Sequence, residues 1–336
     1  MRVIVNNSHA GHVPPHEIDG GAIVPPWEVP GRFEAIRTAL ELDGGFTFEE
    51  PPRIEADAVM ALHDADYVAY LRETSEGLAR SNVGFVMPSV FPFGPSPRAR
   101  GTMALRGTYC FDTYTPITAG TWNAALGGTA AALHAAELIA RGDDRSIYAL
   151  TRPPGHHAEK ARCGGYSYLN NAALAADRLA KLGRVAVLDL DVHHGNGTQH
   201  LFYERSDVLV VSLHGDPAHL FPYFSGYDDE TGTGSGLGFN RNFPLPLGTD
   251  ANLYRPALET AMDMIGRFRP MFLVVSFGTD AHESDPIGTF KLPTEFFAEM
   301  GRLVSELKLP TLVVQEGGYN LATMGECVVR FLGAFR

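Results

Sequence analysis

The stretch RVAVLDLDVHHGNGTQ, residues 184–199, combines a predicted strand with polar side chains at its end. The run from Val185 to Leu188 is apolar and bounded by turn residues, which is typical of a strand. Asp189, Asp191 and His193 follow at alternate positions, and alternation places them on one face. Two carboxylates and an imidazole suit a divalent cation such as Zn2+. The stretch therefore predicts a strand that delivers metal ligands.

The same stretch also fits a purely structural role. Its acidic residues and histidine could cap the next helix together with Asn196 and Thr198, which are residue types common at helix N-termini. Polar residues that follow other strands of the chain favour the metal site over this alternative.

Apolar strands alternate with helices along most of the chain. The predicted strands are Arg2–Val5, Ser146–Leu150, Arg184–Leu188, Val208–Leu213, Met271–Phe277 and Thr311–Val314. The predicted helices cover 31–42, a segment from 64 onward, 121–141, 169–182, 251–268, 294–307 and 322–335. Continuous apolar strands indicate a mostly parallel sheet covered on both faces, an α/β fold of three α/β/α layers. No repeat or linker divides the chain, so we expect one domain over residues 1–336.

Reactive residue types follow five of these strands. The segments are RPPGHH ending at His157, the metal candidates after Leu188, LHGD from Leu213, GTD ending at Asp280, and EGGY ending at Tyr319. In open α/β sheets, ligands bind beyond the carboxyl ends of the strands. Taken singly, Asp280 also fits a turn or helix cap, and Tyr319 a loop aromatic. Together the five segments predict one site.

The predicted site has the residue types of a metal-assisted hydrolase. Asp280 can add a third ligand to Asp191 and His193, and three protein ligands leave a position open for chemistry. His156 and His157 supply a general base, and Asp189 can accept a hydrogen bond from one of them. Tyr319, with an ordinary pKa of about 10, can donate to an oxyanion.

Composition limits the possible partners. A formal net charge of -12 disfavours a nucleic-acid partner. The cysteines at 110, 163 and 327 are odd in number and form no CxxC pair, which favours a reducing cytoplasm. The N-terminal residues lack a signal-peptide core, and no apolar run reaches about 18 residues, so we expect no membrane association.

Two segments fall outside the alternating pattern. Asn7 to Pro30 is predicted to be a long functional loop because it is rich in Pro, Gly and His. Residues 81–120 are predicted to form an excursion that begins with a proline-rich, aromatic stretch. Its apolar residues, with no helical or strand periodicity, are expected to need a second surface; they are Phe85, Val86, Val90, Phe91 and Phe93.

Several motifs together resemble the histone deacetylase superfamily. They are RPPGHH (152–157), GGYSYLNNAA (164–173), LDLDVHHGNGTQ (188–199), SLHGDP (212–217) and EGGY (316–319). The segment HGDPAHLFPYFSGY (214–227) and the Gly and Pro pairs of the N-terminal loop resemble the bacterial acetylpolyamine amidohydrolase branch. The resemblance covers nearly the whole chain and implies the arginase/deacetylase-like fold.

The resemblance also implies roles for individual residues. Zn2+ is held by Asp191, His193 and Asp280; His157 is the general base toward water, His156 its electrostatic partner and Tyr319 the oxyanion donor. Gly165 offers its carbonyl to the substrate amide, Tyr166 and Phe221 wall a narrow tunnel, and Arg32 lies at its inner end. A structural K+ is implied at Asp189, Ser212 and the backbone carbonyls of Asp191, His193 and Leu213.

The chain departs from its relatives in two places. Asn196 stands where several relatives carry Asp, so His157 gains a neutral neighbour and we expect its pKa to be lower. Polyamine-specific relatives carry a Glu near Met103 to Arg106, where this chain has MALR. Glu17 is the remaining candidate contact for a cationic group.

We therefore expect a zinc-dependent amidohydrolase that removes an acetyl or short acyl group from a primary amine, with Fe2+ as an alternative metal. The acylated amine is expected to be an acetylpolyamine, an acetyl-diamine or acetyl-lysine-like. The alternatives are a catalytically weak module that binds acyl groups and an arginase-type hydrolase. The latter is disfavoured because Gly278 stands where a second Mn2+ would need an Asp. In acetylpolyamine relatives an insertion near residues 84–97 packs on a second subunit, which implies a homodimer with a confined entrance.

Overall fold

The structure, a computed structural model, describes residues 1–92 and 101–336. Its strands are β1 Arg2–Val5, β2 Glu17–Asp19, β3 Ala22–Val24, β4 Thr47–Glu49, β5 Phe85–Val86, β6 Ile117–Thr118, β7 Ser146–Leu150, β8 Val185–Asp189, β9 Val208–Gly215, β10 Asn240–Leu245, β11 Phe272–Phe277 and β12 Thr311–Gln315. Its α-helices are α1 Gly31–Asp43, α2 Ala65–Ala79, α3 Thr102–Thr108, α4 Thr121–Arg141, α5 Asn171–Ala180, α6 Asn196–Phe202, α7 Ala251–Phe268, α8 Thr294–Ser305 and α9 Met324–Leu332.

Eight of the strands form one sheet in the order β10-β9-β8-β11-β12-β7-β1-β4. Every neighbouring pair in this sheet is parallel. The α/β fold with a mostly parallel central sheet is therefore confirmed. The two edge strands, β4 and β10, were not predicted from the sequence. One has three residues, and the other contains Pro244, which an edge strand tolerates because its outer side needs no ladder hydrogen bond.

Alternating side chains of the sheet feed two separate apolar cores. In β8, Ala186 and Leu188 face the core that also contains residues of α1, α7, α8 and α9. Val185 and Val187 face the other core, to which the alanine-rich helices α4 and α5 contribute. Because both faces of the sheet are covered, its strands consist of continuous apolar residues, and helices lie on each side of it. This arrangement is the expected three-layer structure.

The excursion folds back on its own chain at one point, contrary to expectation. Phe85 and Val86 pair antiparallel with Thr118 and Ile117, and Val86 is buried in a third apolar cluster with α2. The expectation that these residues lack strand structure was wrong for both, because their partner strand lies about thirty residues later in the sequence. Val86 therefore needs no second surface, whereas Phe85 is only partly buried. Val90 and Phe91 are 72% and 45% exposed. Phe93 lies outside the described residues.

The N-terminal segment predicted as a long loop also contains regular structure. A short 3-10 helix covers Asn7–Gly11, and β2 and β3 form a hairpin. Gly20 and Gly21 join its strands with positive φ angles of 54° and 85°. The hairpin matters for function because β2 carries Glu17 to the site described below.

Among the helices of residues 1–92 and 101–336, none has the length and apolar content needed to cross a bilayer.

Candidate active site

The five strands whose ends carry reactive residues are neighbours in the sheet, in the order β9-β8-β11-β12-β7. Since they are parallel, their carboxyl ends lie at one edge, as expected from the sequence. Short loops beyond that edge carry the histidine pair, Asp191, His193, Asp280 and Tyr319. All of them are buried.

Asp191, His193 and Asp280 form a buried cluster whose donor atoms lie within 4.8 Å of one another. His193 Nδ1 is 3.2 Å from Asp191 Oδ1 and 3.2 Å from Asp280 Oδ2. Burial alone would lower the pKa of His193, but the two carboxylates raise it to about 10. Burial and the neighbouring Asp191 raise the pKa of Asp280. The cluster therefore attracts positive charge, and its oxygen and nitrogen donors fit a divalent cation.

Glycines on either side leave the cluster no room for another side chain. A Cβ at Gly278 would overlap the carboxylates of both Asp191 and Asp280. A Cβ at Gly317 would overlap the same two groups. The extra Asp of a two-metal site therefore has no space at residue 278.

The two histidines of RPPGHH have different partners. His156 Nδ1 lies 3.0 Å from Asp189 Oδ2, and His157 Nδ1 lies 2.8 Å from Asn196 Oδ1. Burial opposes the charged form of His156, yet Asp189 and Asp191 raise its pKa to about 10. For His157, burial and the neighbouring His156 and His193 lower the pKa well below its usual value. One imidazole is thus charged and the other neutral at pH 7.

Asp189 lies outside the Asp191–His193–Asp280 cluster. Besides its contact with His156, it accepts a hydrogen bond of 3.1 Å from the Asp191 backbone N–H. It is paired with Ser212 in the register of β8 and β9, and Leu213 is the next residue of β9. The side chains of Asp189 and Ser212 are both buried.

Tyr319 is held from two sides. Its backbone N–H donates to Asp285 Oδ2 at 2.7 Å. The Arg32 guanidinium lies 4.7 Å from the centre of the Tyr319 ring and donates to the Gly318 and Glu316 carbonyls at 2.5 and 2.6 Å. Burial raises the pKa of Tyr319 well above its usual value, although Arg32 acts in the opposite direction. The phenol therefore remains a hydrogen-bond donor at neutral pH.

A pocket of about 170 Å³ leads from the surface to these groups. Its described lining residues are Glu17, Asp19, Trp27, Tyr114, His157, Gly165, Tyr166, His193, Leu220, Phe221, Tyr223, Ile287 and Tyr319. The Phe221 ring meets the His157 ring edge-on with centroids 5.0 Å apart, and the Tyr166 and Tyr319 rings are 5.7 Å apart. The predicted wall residues thus line a narrow aromatic passage.

Residue 165, in the pocket wall, has no room for a side chain and has a backbone conformation that favours glycine. Its φ is +52°, and a Cβ there would overlap the His157 ring. Its backbone N–H donates to Asp112 Oδ2 at 2.5 Å. The next residue, Tyr166, has φ of +64°, which is uncommon for a residue with a bulky side chain.

The pocket wall is acidic near the hairpin. Glu17 is 2% exposed, its Oε1 accepts a hydrogen bond of 3.1 Å from the Tyr166 hydroxyl, and burial raises its pKa to about 7. Asp19, on the same strand, accepts from the Tyr114 hydroxyl at 2.8 Å. The described lining residues include no Lys or Arg. Arg106, on α3, is absent from that lining.

Sequence reasoning missed four carboxylates that support the site: Asp19, Glu28, Glu159 and Asp285. Glu28 is buried and forms ion pairs with Arg32 and Arg152 at 2.9 and 2.8 Å. Glu28 and Glu159 each have one ion-pair partner close in sequence, Arg32 and Arg162. The contacts that place the four carboxylates at the site are made with residues far away in the sequence, which no local pattern shows.

Comparison with known proteins adds independent evidence. A model of the histone deacetylase domain matches residues 26–335. The acetylpolyamine amidohydrolase of Mycoplana ramosa is 42% identical, over 99% of this chain and 98% of that protein. Acetylpolyamine amidohydrolase 1 of Pseudomonas aeruginosa is 39% identical, over 100% and 99%. The crystal structure of an acetylpolyamine aminohydrolase from Burkholderia pseudomallei superimposes with a TM-score of 0.95 at 36% identity, covering 100% and 98% of the two chains.

The family match over most of the chain, the full-length relatives and the shared fold agree with the motifs at the sheet edge. The chain belongs to the histone deacetylase superfamily and is one of its amidohydrolase enzymes.

Proposed function

We propose that the whole chain forms one zinc-dependent amidohydrolase domain that removes an acetyl or short acyl group from a cationic primary amine. The observation that carries this proposal is the buried Asp191–His193–Asp280 cluster beside His157 and Tyr319 at the inner end of an acidic, narrow pocket. The acetylpolyamine amidohydrolases that match the full chain support the substrate class.

The three ligands suit Zn2+, and Fe2+ is compatible with the same oxygen and nitrogen donors. A divalent ion bound there lowers the pKa of water and polarises a carbonyl oxygen. For the structural K+, the adjacency of Asp189 and Ser212 in β8 and β9 supports the proposed site, together with the carbonyls of Asp191, His193 and Leu213. The free, buried cysteines support a reducing cytoplasm as the place of action.

The protein's own residues supply orientation and proton transfer. The Gly165 carbonyl accepts the substrate amide N–H, while Tyr166 and Phe221 hold the acyl-amine chain between them. Neutral His157 accepts a proton from the attacking water as its oxygen bonds to the carbonyl carbon. Tyr319 donates to the developing oxyanion. Cleavage of the C–N bond then returns the proton from His157 to the amine, which leaves a carboxylate and a free amine.

Charged His156 stabilises the site without moving a proton. Its ring centroid is 4.0 Å from that of His157, and its Nδ1–H donates to Asp189 Oδ2 at 3.0 Å. A cation beside His157 disfavours a second positive charge, which keeps His157 neutral and ready to act as a base.

A substrate panel tests the proposal. Release of free amine is measured for acetylated diamines, acetylpolyamines, acetyl-lysine peptides and neutral arylamides, with Zn2+-reconstituted and metal-free protein. We expect hydrolysis only with metal, and the highest kcat/KM for slim cationic amines. Binding of acylated amines without amine release would instead indicate an acyl-binding module.

Glu17 gives substrate binding a pH dependence. Burial raises its pKa to about 7, with a lowering contribution from Tyr166 and raising contributions from Asp112, Asp19 and Glu28. The carboxyl group is therefore neutral below about pH 7 and charged above it. We expect KM for an acetylated diamine to fall about fivefold between about pH 6 and about pH 8, since a charge-assisted hydrogen bond contributes about 1.5 kcal/mol and Glu17 is mostly neutral at the lower pH and mostly charged at the higher one.

Two controls isolate this effect. Glu17→Gln should flatten the pH dependence of KM for the diamine. An uncharged acylated amine of equal length should show a flat KM with the parent enzyme. A diamine KM that responds to pH equally in Glu17→Gln would show that another group is responsible.

The exposed tip of the excursion supports the proposed homodimer. Val90 and Phe91 present apolar side chains to solvent, whereas Val86 belongs to the protein's own core. We expect light scattering at micromolar concentration to give twice the monomer mass for the parent and the monomer mass for Val90→Ser/Phe91→Ser. Substituting these two residues leaves β5 and β6 intact, which replacing the whole loop would not.

The same pair of variants tests whether the dimer confines the entrance. The ratio of kcat/KM for acetylputrescine to that for an acetyl-lysine peptide should fall when the dimer dissociates. A monomeric parent would contradict the dimer, and an unchanged ratio in a monomeric variant would show that the loop does not select by substrate size.

A further inference from the structure

Behind His157, on the side away from the pocket, lies a carboxylate that the reaction does not use directly. The Asn196 side chain stands between the two groups: its Oδ1 is 2.8 Å from His157 Nδ1, and its Nδ2 donates to Glu159 Oε1 at 3.0 Å. All three side chains are buried. His157, Asn196 and Glu159 therefore form a continuous chain of hydrogen bonds.

The surroundings of Asn196 fix which way its amide points. On the Nδ2 side lie Glu159 Oε1 and, at 3.4 Å, the backbone carbonyl of His157, and both can only accept hydrogen bonds. The amide N–H2 must face them, so the amide oxygen must face His157. A carbonyl oxygen accepts, so the hydrogen between it and His157 belongs to the imidazole Nδ1.

Glu159 is held in its ionised form by its hydrogen-bonding neighbours and by the charge of Arg162. Burial alone would raise its pKa, but His200 and Arg162 outweigh burial and lower it. Arg162 Nε donates to Glu159 Oε2 at 2.9 Å, and His200 Nδ1 is 3.0 Å from Glu159 Oε1. Because the ionised Glu159 carboxylate can only accept hydrogen bonds, it allows a single orientation of the Asn196 amide.

We propose that Glu159 is a positioning residue that, through Asn196, holds His157 in the tautomer with hydrogen on Nδ1 and a free lone pair on Nε2. This inference rests on the proposed role of His157 as the general base. It also explains why a neutral residue stands at 196. An Asp there would place two carboxylate oxygens about 3 Å apart with no hydrogen between them.

Nitrogen NMR tests the tautomer directly and independently of activity. In ¹⁵N-histidine-labelled, Zn2+-reconstituted protein, the His157 signals are assigned by their loss in His157→Gln. We expect a protonated Nδ1 and an unprotonated Nε2 in the parent. A parent His157 with its hydrogen on Nε2 would overturn the proposal without any further variant.

Substitutions test the route through Asn196. In Glu159→Gln the new amide can donate as well as accept, so Asn196 can turn and both tautomers become populated. We expect kcat to fall about tenfold, as for other residues that orient a functional histidine, with KM changed less than twofold. Adding Asn196→Asp to Glu159→Gln supplies an acceptor-only group to both His157 and residue 159. That double variant should recover the Nδ1–H tautomer and kcat within about threefold of the parent.

Glu230→Gln is the matched control. Glu230 accepts a hydrogen bond from Gln199 of α6 but has no link to His157, so its substitution should leave the His157 tautomer unchanged. Equal kcat and a single Nδ1–H tautomer in Glu159→Gln would overturn the inference, as would a loss of kcat that Asn196→Asp fails to recover. A parent that shows the tautomer but releases no amine would refute the proposed function instead.

Discussion

Asp191→Ala should leave the purified protein with almost no bound zinc and should lower kcat/KM by more than about a hundredfold. Substituting a residue that only hydrogen-bonds to a metal ligand already lowers activity or metal affinity by about 10–100-fold, and losing a ligand itself should cost more. Asp191 is fully buried within the cluster. Without its carboxylate only two ligands, His193 and Asp280, remain for the metal. Zinc content is measured by atomic absorption and turnover by release of free amine.

The same substitution also costs stability. Asp191 accepts hydrogen bonds from the Gly317 and His193 backbone N–H groups at 2.7 and 2.9 Å. Each buried donor left without a partner costs about 1–3 kcal/mol. Thermal unfolding should therefore remain cooperative with a lower Tm, since both apolar cores are unchanged.

A control separates metal loss from damage to the fold. Asp250→Asn should retain full zinc and activity, because Asp250 only caps α7 and Asn caps helices equally well. Stoichiometric zinc with full turnover in Asp191→Ala would contradict the ligand assignment.

Tyr319→Phe should lower kcat by about a hundredfold to a thousandfold, the usual effect of losing one oxyanion donor. The ring remains in place, so Arg32 keeps its position over it and zinc content should not change. Because burial raises the pKa of Tyr319, its phenol stays protonated through neutral and mildly alkaline pH. The effect on kcat should therefore be constant over that range.

Tyr203→Phe is the control for the loss of a hydroxyl, since Tyr203 is outside the described pocket lining. It should retain the kcat and KM of the parent. If Tyr319→Phe keeps kcat within a few-fold of the parent, another group stabilises the oxyanion.

The sequence by itself determined the parallel sheet and which reactive residues lie at the carboxyl ends of its strands. Continuous apolar runs such as Val185 to Leu188 are explained by strands covered on both faces, and such a run is visible within a few residues of sequence. Parallel strands end at a common edge, so Asp191, Asp280 and Tyr319 could be assigned to one site without coordinates.

Only the tertiary structure decided which distant residues pair. The edge strand β10 forms because β9 supplies a partner, and Val86 is buried because Ile117 pairs with it. Likewise, Asp19 reaches the pocket through a hairpin, and Glu159 reaches Asn196 through a turn. The local sequence around a polar residue is the same whether its side chain faces solvent or a buried partner. Its role depends on contacts with distant residues, which the local pattern of apolar and polar residues does not reveal.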